Sequence, residues 1–148
     1  MTSQASLVKS MIFDQPDDIQ ELYQVALKAR EHSYSPYSNY KVGTAIRTSD
    51  GKIFSGCNVE NASFGATICA ERVAIQKAVS EIGKFSLSEI LVVTKANPPW
   101  PPCGMCRQVI AEFAQNDVTV YVTNVEGVFF KIAFSKLFPE AFTPFNLL

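Results

Sequence analysis

Between residues 16 and 82 the apolar positions change their period twice, and each change marks a new element. From Pro16 onward, Ile19, Leu22, Tyr23, Ala26 and Ala29 recur at helical spacing. Pro16 suits a first helical turn, and Asp17 and Asp18 meet the positive end of the helix dipole, so a helix is predicted that ends near "HSYSPYSNY". In "KVGTAIRTSDGKIFSGCNV" two short runs flank Asp50-Gly51, which predicts an antiparallel hairpin. Helical spacing returns from Cys69 to Ile82, with Val73, Ala74, Ala78 and Ile82 on one face and Gly83 as the stop. "SEILVVTK" then reads as a buried strand, "ANPPWPP" as a rigid loop and "CGMCRQVIAEFAQ" as another core helix. "DVTVYVTN" and "GVFFKIAF" read as two last strands on either side of Glu126-Gly127. The order predicts an α/β domain, one mixed five-stranded sheet with helices on both faces.

Composition narrows the function classes. A chain of 148 residues with 47% hydrophobic content fits a single domain over 1–148, with residues 1–14 expected to form a poorly ordered N-terminal extension. Net charge is -1 and the 13 Lys and Arg are scattered singly, which disfavours a nucleic-acid partner. The N-terminus lacks the apolar core and cleavage pattern of a signal peptide, and no segment reaches the roughly 18 apolar residues of a membrane span. A cytoplasmic protein without a membrane partner is expected. Four cysteines in a chain this long point to reduced thiols rather than a disulfide scaffold.

Three of those thiols stand where a metal can use them. Two predicted helices begin at cysteine, and a helix N-terminus offers unpaired N–H groups and a positive dipole end that favour the thiolate. Cys103 and Cys106 are three residues apart, on one face of a first turn, and Cys69 would supply a third sulfur. Three protein ligands leave one tetrahedral position open, as catalytic zinc requires, whereas a structural site usually closes all four. Cys57, in "FSGCNV", reads as a small buried residue rather than a fourth ligand, and His32 as a helix-end residue.

Taken together, "TICAER" and "PCGMC" fit the zinc deaminase signature of a metal ligand, one residue, a glutamate, and a Pro-Cys-x-x-Cys helix start. With "YSPYSNYKVG", "GCNVENASFGATICAER" and "PCGMCRQVI" in register, most of the chain resembles the small homotetrameric cytidine deaminases of pyrimidine salvage. The resemblance implies a three-layer α/β/α cytidine deaminase-like fold and one zinc per subunit held by Cys69, Cys103 and Cys106. Glu71 would be the catalytic proton shuttle; its ordinary alternative is a first-turn carboxylate stabilised by the dipole. Two residues apart on a helix diverge by about 200°, so Cys69 must sit at or before the first turn for both groups to face one pocket. Arg72, by donating to a ligand sulfur, would draw charge from a centre made negative by three thiolates, or else be a solvated helix residue.

Substrate contacts are expected from Asn58, Glu60, Tyr40, Ala70 and Phe142. Asn58 and Glu60 share side-chain parity and in the family bind the ribose, which implies a nucleoside rather than a free base. Tyr40 stands where relatives carry phenylalanine to stack on the pyrimidine. Phe142, in "PEAF", resembles the aromatic that a neighbouring subunit lends to the pocket, implying a homotetramer with shared active sites; its ordinary alternative is local packing of the C-terminal tail. Trp100 and its prolines border either the pocket rim or a subunit contact. The implied reaction is hydrolytic deamination of cytidine and 2′-deoxycytidine by a zinc-activated hydroxide, releasing ammonia. A polynucleotide deaminase and a noncatalytic zinc-binding module are the alternatives.

Overall fold

The structure, a computed structural model, describes residues 7–148. Six strands form one sheet: β1 (Ser10–Met11), β2 (Gly43–Thr48), β3 (Ile53–Cys57), β4 (Leu87–Thr94), β5 (Thr119–Asn124) and β6 (Val128–Ala133). Their order is β1-β6-β5-β4-β2-β3, with β4 and β5 parallel and every other pair antiparallel. The sheet is mixed, as predicted, but has six strands rather than five. The additional β1 is two residues long, too short for any periodicity to announce it. It exists because Ser10 and Met11 pair with Phe129 and Val128, after which the Ile12 N–H donates to the Gly127 carbonyl and the Ile12 side chain is fully buried. The extension anticipated over residues 1–14 is therefore part of the fold at its C-terminal end; residues 1–6 lie outside the described chain.

Alternation along the strands produces two cores. Ala45, Leu91, Val93, Tyr121 and Phe129 face α1 (Asp17–Glu31), which contributes Ile19, Leu22, Tyr23 and Ala26. Their neighbours Ile46, Ile90, Val92, Val120 and Val122 face the opposite way, onto α2 (Ala70–Ile82) and α3 (Gly104–Phe113). A period of two in central strands thus covers both faces, giving three layers. On α2 the buried residues are Ala70, Glu71, Ala74, Ile75 and Ala78, so Ile75 takes the core place expected of Val73. A four-residue helix, α4 (Phe134–Leu137), follows β6 and was not anticipated from the pattern. His32 is the residue that closes α1. Among the described residues no helix is long and apolar enough to cross a membrane.

Two close approaches set the position of α2 and α1. Gly56 on β3 lies so near the first turns of α2 that a Cβ there would meet the Ala70 carbonyl oxygen and the Ala74 nitrogen at 2.5 Å. At Gly43 on β2 the same atom would lie 2.1 Å from the Ala26 carbonyl oxygen of α1. Both glycines let a helix pack on backbone instead of on a side chain.

Candidate metal centre and its cavity

The N-termini of α2 and α3 meet at the carboxyl end of β4, the usual place for a ligand site in a sheet with parallel strands. Cys69 is the N-cap residue of α2 and Cys103 the N-cap residue of α3, both with extended backbone. Neither carries a hydroxyl or amide to cap the free N–H groups, so each sulfur sits at the positive end of a helix. Cys106 lies one turn into α3 and is fully buried. The three sulfurs lie within 4.8 Å of one another, with Cys69 Sγ and Cys103 Sγ 3.8 Å apart. Two sulfurs held at about 2.3 Å from a tetrahedral zinc are themselves separated by about 3.8 Å. The cluster therefore fits zinc in both donor chemistry and spacing, with a fourth position left to a non-protein ligand. Cys57, half-buried on β3, is not part of it.

Hydrogen bonding among the three thiols concentrates negative charge on one sulfur. The Cys69 thiol is pulled down to about 5, first by the bond it accepts from Cys106 and then by Arg72 and Cys103. Cys106 is correspondingly pushed up, because its proton is the one shared with Cys69 and because it is buried. Arg72 Nη2 donates to Cys69 Sγ at 3.7 Å and to the Thr67 carbonyl at 3.3 Å, so the guanidinium spans the sulfur and the segment leading into α2. Its Nε–H is buried and has no partner among the described residues.

Cys69 as N-cap resolves the angular problem posed by Glu71. The cap residue lies outside the helical repeat, so Glu71, the second residue of α2, can turn inward beside it. Glu71 is only 5% exposed, and burial raises its pKa from 4.5 to about 7, with the Cys69 thiolate pushing the same way. A carboxyl that titrates near neutrality is suited to both accepting and returning a proton.

These groups open onto a cavity of about 200 Å³, lined by Cys69, Ala70, Glu71 and Cys103 at one end. Asn58 and Ala70 are in its wall; Glu60, Tyr40 and Phe142 are not. Val42, Thr67, Ile68, Val92, Thr94, Trp100 and Pro101 complete the lining; of these the sequence points only to Trp100 and its neighbouring proline. Thr67 and Ile68 precede Cys69 and Pro101 precedes Cys103, so adjacency to the ligands was the signal available.

Asn58 and Glu60 do face the same side of the chain, but beyond the end of β3, where both side chains organise the loop 33–40. Asn58 Oδ1 accepts from Ser33 Oγ at 2.5 Å and from the Val42 N–H at 2.9 Å, while Nδ2 donates to the Tyr40 carbonyl at 2.8 Å. An amide has four bonding positions, so one N–H of Asn58 remains for a ligand. Glu60 accepts from the Tyr37 and Ser38 N–H groups at 3.0 and 3.1 Å and from Ser38 Oγ at 2.6 Å. The Ser38 hydroxyl is the leading cause that holds its carboxyl below the usual range. The Tyr40 ring stacks on Trp100, centroids 4.5 Å apart and planes at 14°. Phe142 is 56% exposed, and its carbonyl accepts from Gln108 Nε2 on α3 at 2.8 Å.

Residues 16–122 match the family model described as the cytidine and deoxycytidylate deaminase zinc-binding region. The chain is 48% identical to a cytidine deaminase of Halalkalibacterium halodurans, over 85% of this chain and 95% of that one. It is 45% identical to a cytidine deaminase of Sporosarcina psychrophila, over 88% and 95%. Among solved structures it is similar to a cytidine deaminase from Burkholderia pseudomallei, with a TM-score of 0.79 and 43% identity, covering 83% of this chain and 98% of that chain. A matched zinc-binding region that contains Cys69, Cys103 and Cys106, on a fold shared over nearly the whole of its relatives, makes this chain a member of the zinc-dependent cytidine deaminase family of hydrolytic enzymes.

Proposed function

We propose that the protein converts cytidine and 2′-deoxycytidine to uridine and 2′-deoxyuridine with release of ammonia, in cytoplasmic pyrimidine salvage, with one zinc per subunit. The observation that carries this reading is the placement of Glu71, a buried carboxyl in the first turn of α2, in the same cavity as Cys69 and Cys103 and beside three converging sulfurs. Zinc held by Cys69, Cys103 and Cys106 supplies Lewis acidity that makes water a nucleophile near neutral pH. Glu71 accepts the proton that the attacking water gives up, through a carboxylate oxygen. It passes that proton to the ring nitrogen next to the amine-bearing carbon, then takes the remaining proton of the hydroxyl added there and hands it to the amine; the C–N bond breaks, the hydroxyl oxygen becomes the carbonyl, and ammonia leaves. Arg72 donates to Cys69 Sγ and tempers the charge of a three-thiolate site. The free N–H of Asn58 and the carboxylate of Glu60 read the sugar, Glu60 by exchanging one of its loop hydrogen bonds for a hydroxyl. The Ala70 backbone at the start of α2 meets the base. Phe142, outside its own chain's cavity, serves the site of a neighbour in a homotetramer.

Loss of ultraviolet absorbance by cytidine, 2′-deoxycytidine and free cytosine with zinc-loaded protein tests the reading. Both nucleosides should be consumed, and cytosine at least about 10⁴-fold less efficiently, because a pocket built for sugar hydroxyls is left with unpaired polar groups. Glu71→Gln should keep its zinc and lose several powers of ten in turnover. Full zinc with no turnover of any of the three by the unmodified protein would leave a metal-fastened module instead.

A further inference from the structure

Trp100 is the one aromatic side chain among the described residues that line the cavity holding Glu71, Cys69 and Cys103. The other apolar lining groups, including Val42, Ile68, Ala70 and Val92, are aliphatic. Tyr40 does not line the cavity, and Trp100 already covers a face of its ring at 4.5 Å between centroids. A heterocycle inserted between two parallel rings needs them roughly 7 Å apart, two contact distances of about 3.5 Å, so this pair is closed to it. The Lys95 ammonium also lies over the Tyr40 ring, 5.7 Å from its centroid, and the phenol oxygen is buried with no partner among the described residues. Tyr40 thus has the surroundings of a support, while Trp100 keeps 53% of its surface open. The backbone around the indole is stiff: Pro98, Pro99, Pro101 and Pro102 restrict φ on both sides. Arg107 Nε anchors the loop's end by donating to the Pro102 carbonyl at 2.8 Å.

On the nucleoside reading above, we infer that Trp100 is a specificity-determining residue of this site: its indole is the aromatic wall that the substrate's base lies against, and Tyr40 holds the indole in place. Base–aromatic stacking suits this wall because it recognises a flat ring while leaving the amine-bearing carbon free to face Glu71.

Trp100 is the chain's single tryptophan, so its fluorescence reports on this wall without turnover. Uridine, the unreactive product, should change the emission of the zinc-loaded protein saturably, while D-ribose, which lacks a base, should not. Trp100→Ala should raise the KM for cytidine about tenfold or more, the scale of one lost base–aromatic stack, with kcat within a few-fold. Trp100→Phe should recover most of the loss. No emission change at uridine concentrations that inhibit turnover, or an unchanged KM in a zinc-replete Trp100→Ala protein, would overturn the inference. If Trp100→Ala fails to fold, the titration of the unmodified protein still decides. Failure of the reaction reads differently: a protein whose emission responds to cytidine without consuming it keeps the Trp100 wall and loses the deaminase reading.

Discussion

Glu71 carries a cost that its position imposes. Its pKa rises from 4.5 in an unfolded chain to about 7 in the folded, metal-free one, so between those values the folded state holds a proton that the unfolded state has released. Stability therefore falls as pH rises through this window, and above it the buried carboxylate costs about 3 kcal/mol, at ~1.4 kcal/mol per pH unit. Glu71→Gln has no proton to lose. Urea unfolding of chelator-treated protein should find the variant more stable than the parent at pH 8 and equal to it near pH 4.5; equal stability at both would mean that the carboxyl is not buried as described. Arg72 makes a second test at this scale. With its bonds to Cys69 Sγ and the Thr67 carbonyl removed in Arg72→Gln, zinc transfer to a chromogenic chelator should be about 10- to 100-fold easier, the usual effect of removing a partner of a metal ligand. An unchanged transfer curve would reduce Arg72 to a helix residue.

At the scale of elements, the site depends on how closely α2 rides on the sheet. Because a Cβ on Gly56 would meet Ala70 and Ala74 backbone atoms at 2.5 Å, Gly56→Ala must push the start of α2 away from β3. That turn carries Cys69 and Glu71, so the variant should lose about 3 kcal/mol of stability by urea unfolding and also lose turnover and zinc retention together. Gly51 provides the contrast. It has open space around it but a φ of +88°, so Gly51→Ala should cost about 1 kcal/mol from backbone strain and leave the zinc site intact. The elements themselves were legible where a period ran long enough. α1, α2, α3 and the hairpin at Asp50-Gly51 follow from local patterning, whereas β1 has two residues and owes its existence to the edge of β6.

For the whole molecule, the feature that the single chain leaves without a role is its apolar C-terminal region. Phe142, Phe145, Leu147 and Leu148 are exposed, while α3 holds the stretch before them by hydrogen bonds from Gln108 to the Phe142 carbonyl and from Arg107 Nη1 to the Leu137 carbonyl. A homotetramer in which Phe142 enters a neighbour's site gives that surface a partner. Light scattering should return four times the mass of one chain. Phe142→Ala should then raise KM with zinc content unchanged; a monomer of full activity would overturn the shared site.

What the sequence by itself determined were the relations that a few backbone bonds enforce. The i, i+3 spacing of Cys103 and Cys106, the helix start at Cys69, the inward turn available to Glu71 and the common side of Asn58 and Glu60 all follow from dihedral geometry over one or two turns. Only the tertiary structure decided relations that cross the sheet. It brought Cys69 within 3.8 Å of Cys103, stacked Tyr40 on Trp100 from sixty residues away, and committed Asn58 and Glu60 to the loop 33–40. Those distances depend on strand order, on β4 lying between β2 and β5, and on glycines small enough to admit a helix. Contact between distant segments is selected by the packing of the whole core, so no local pattern in either segment can encode it.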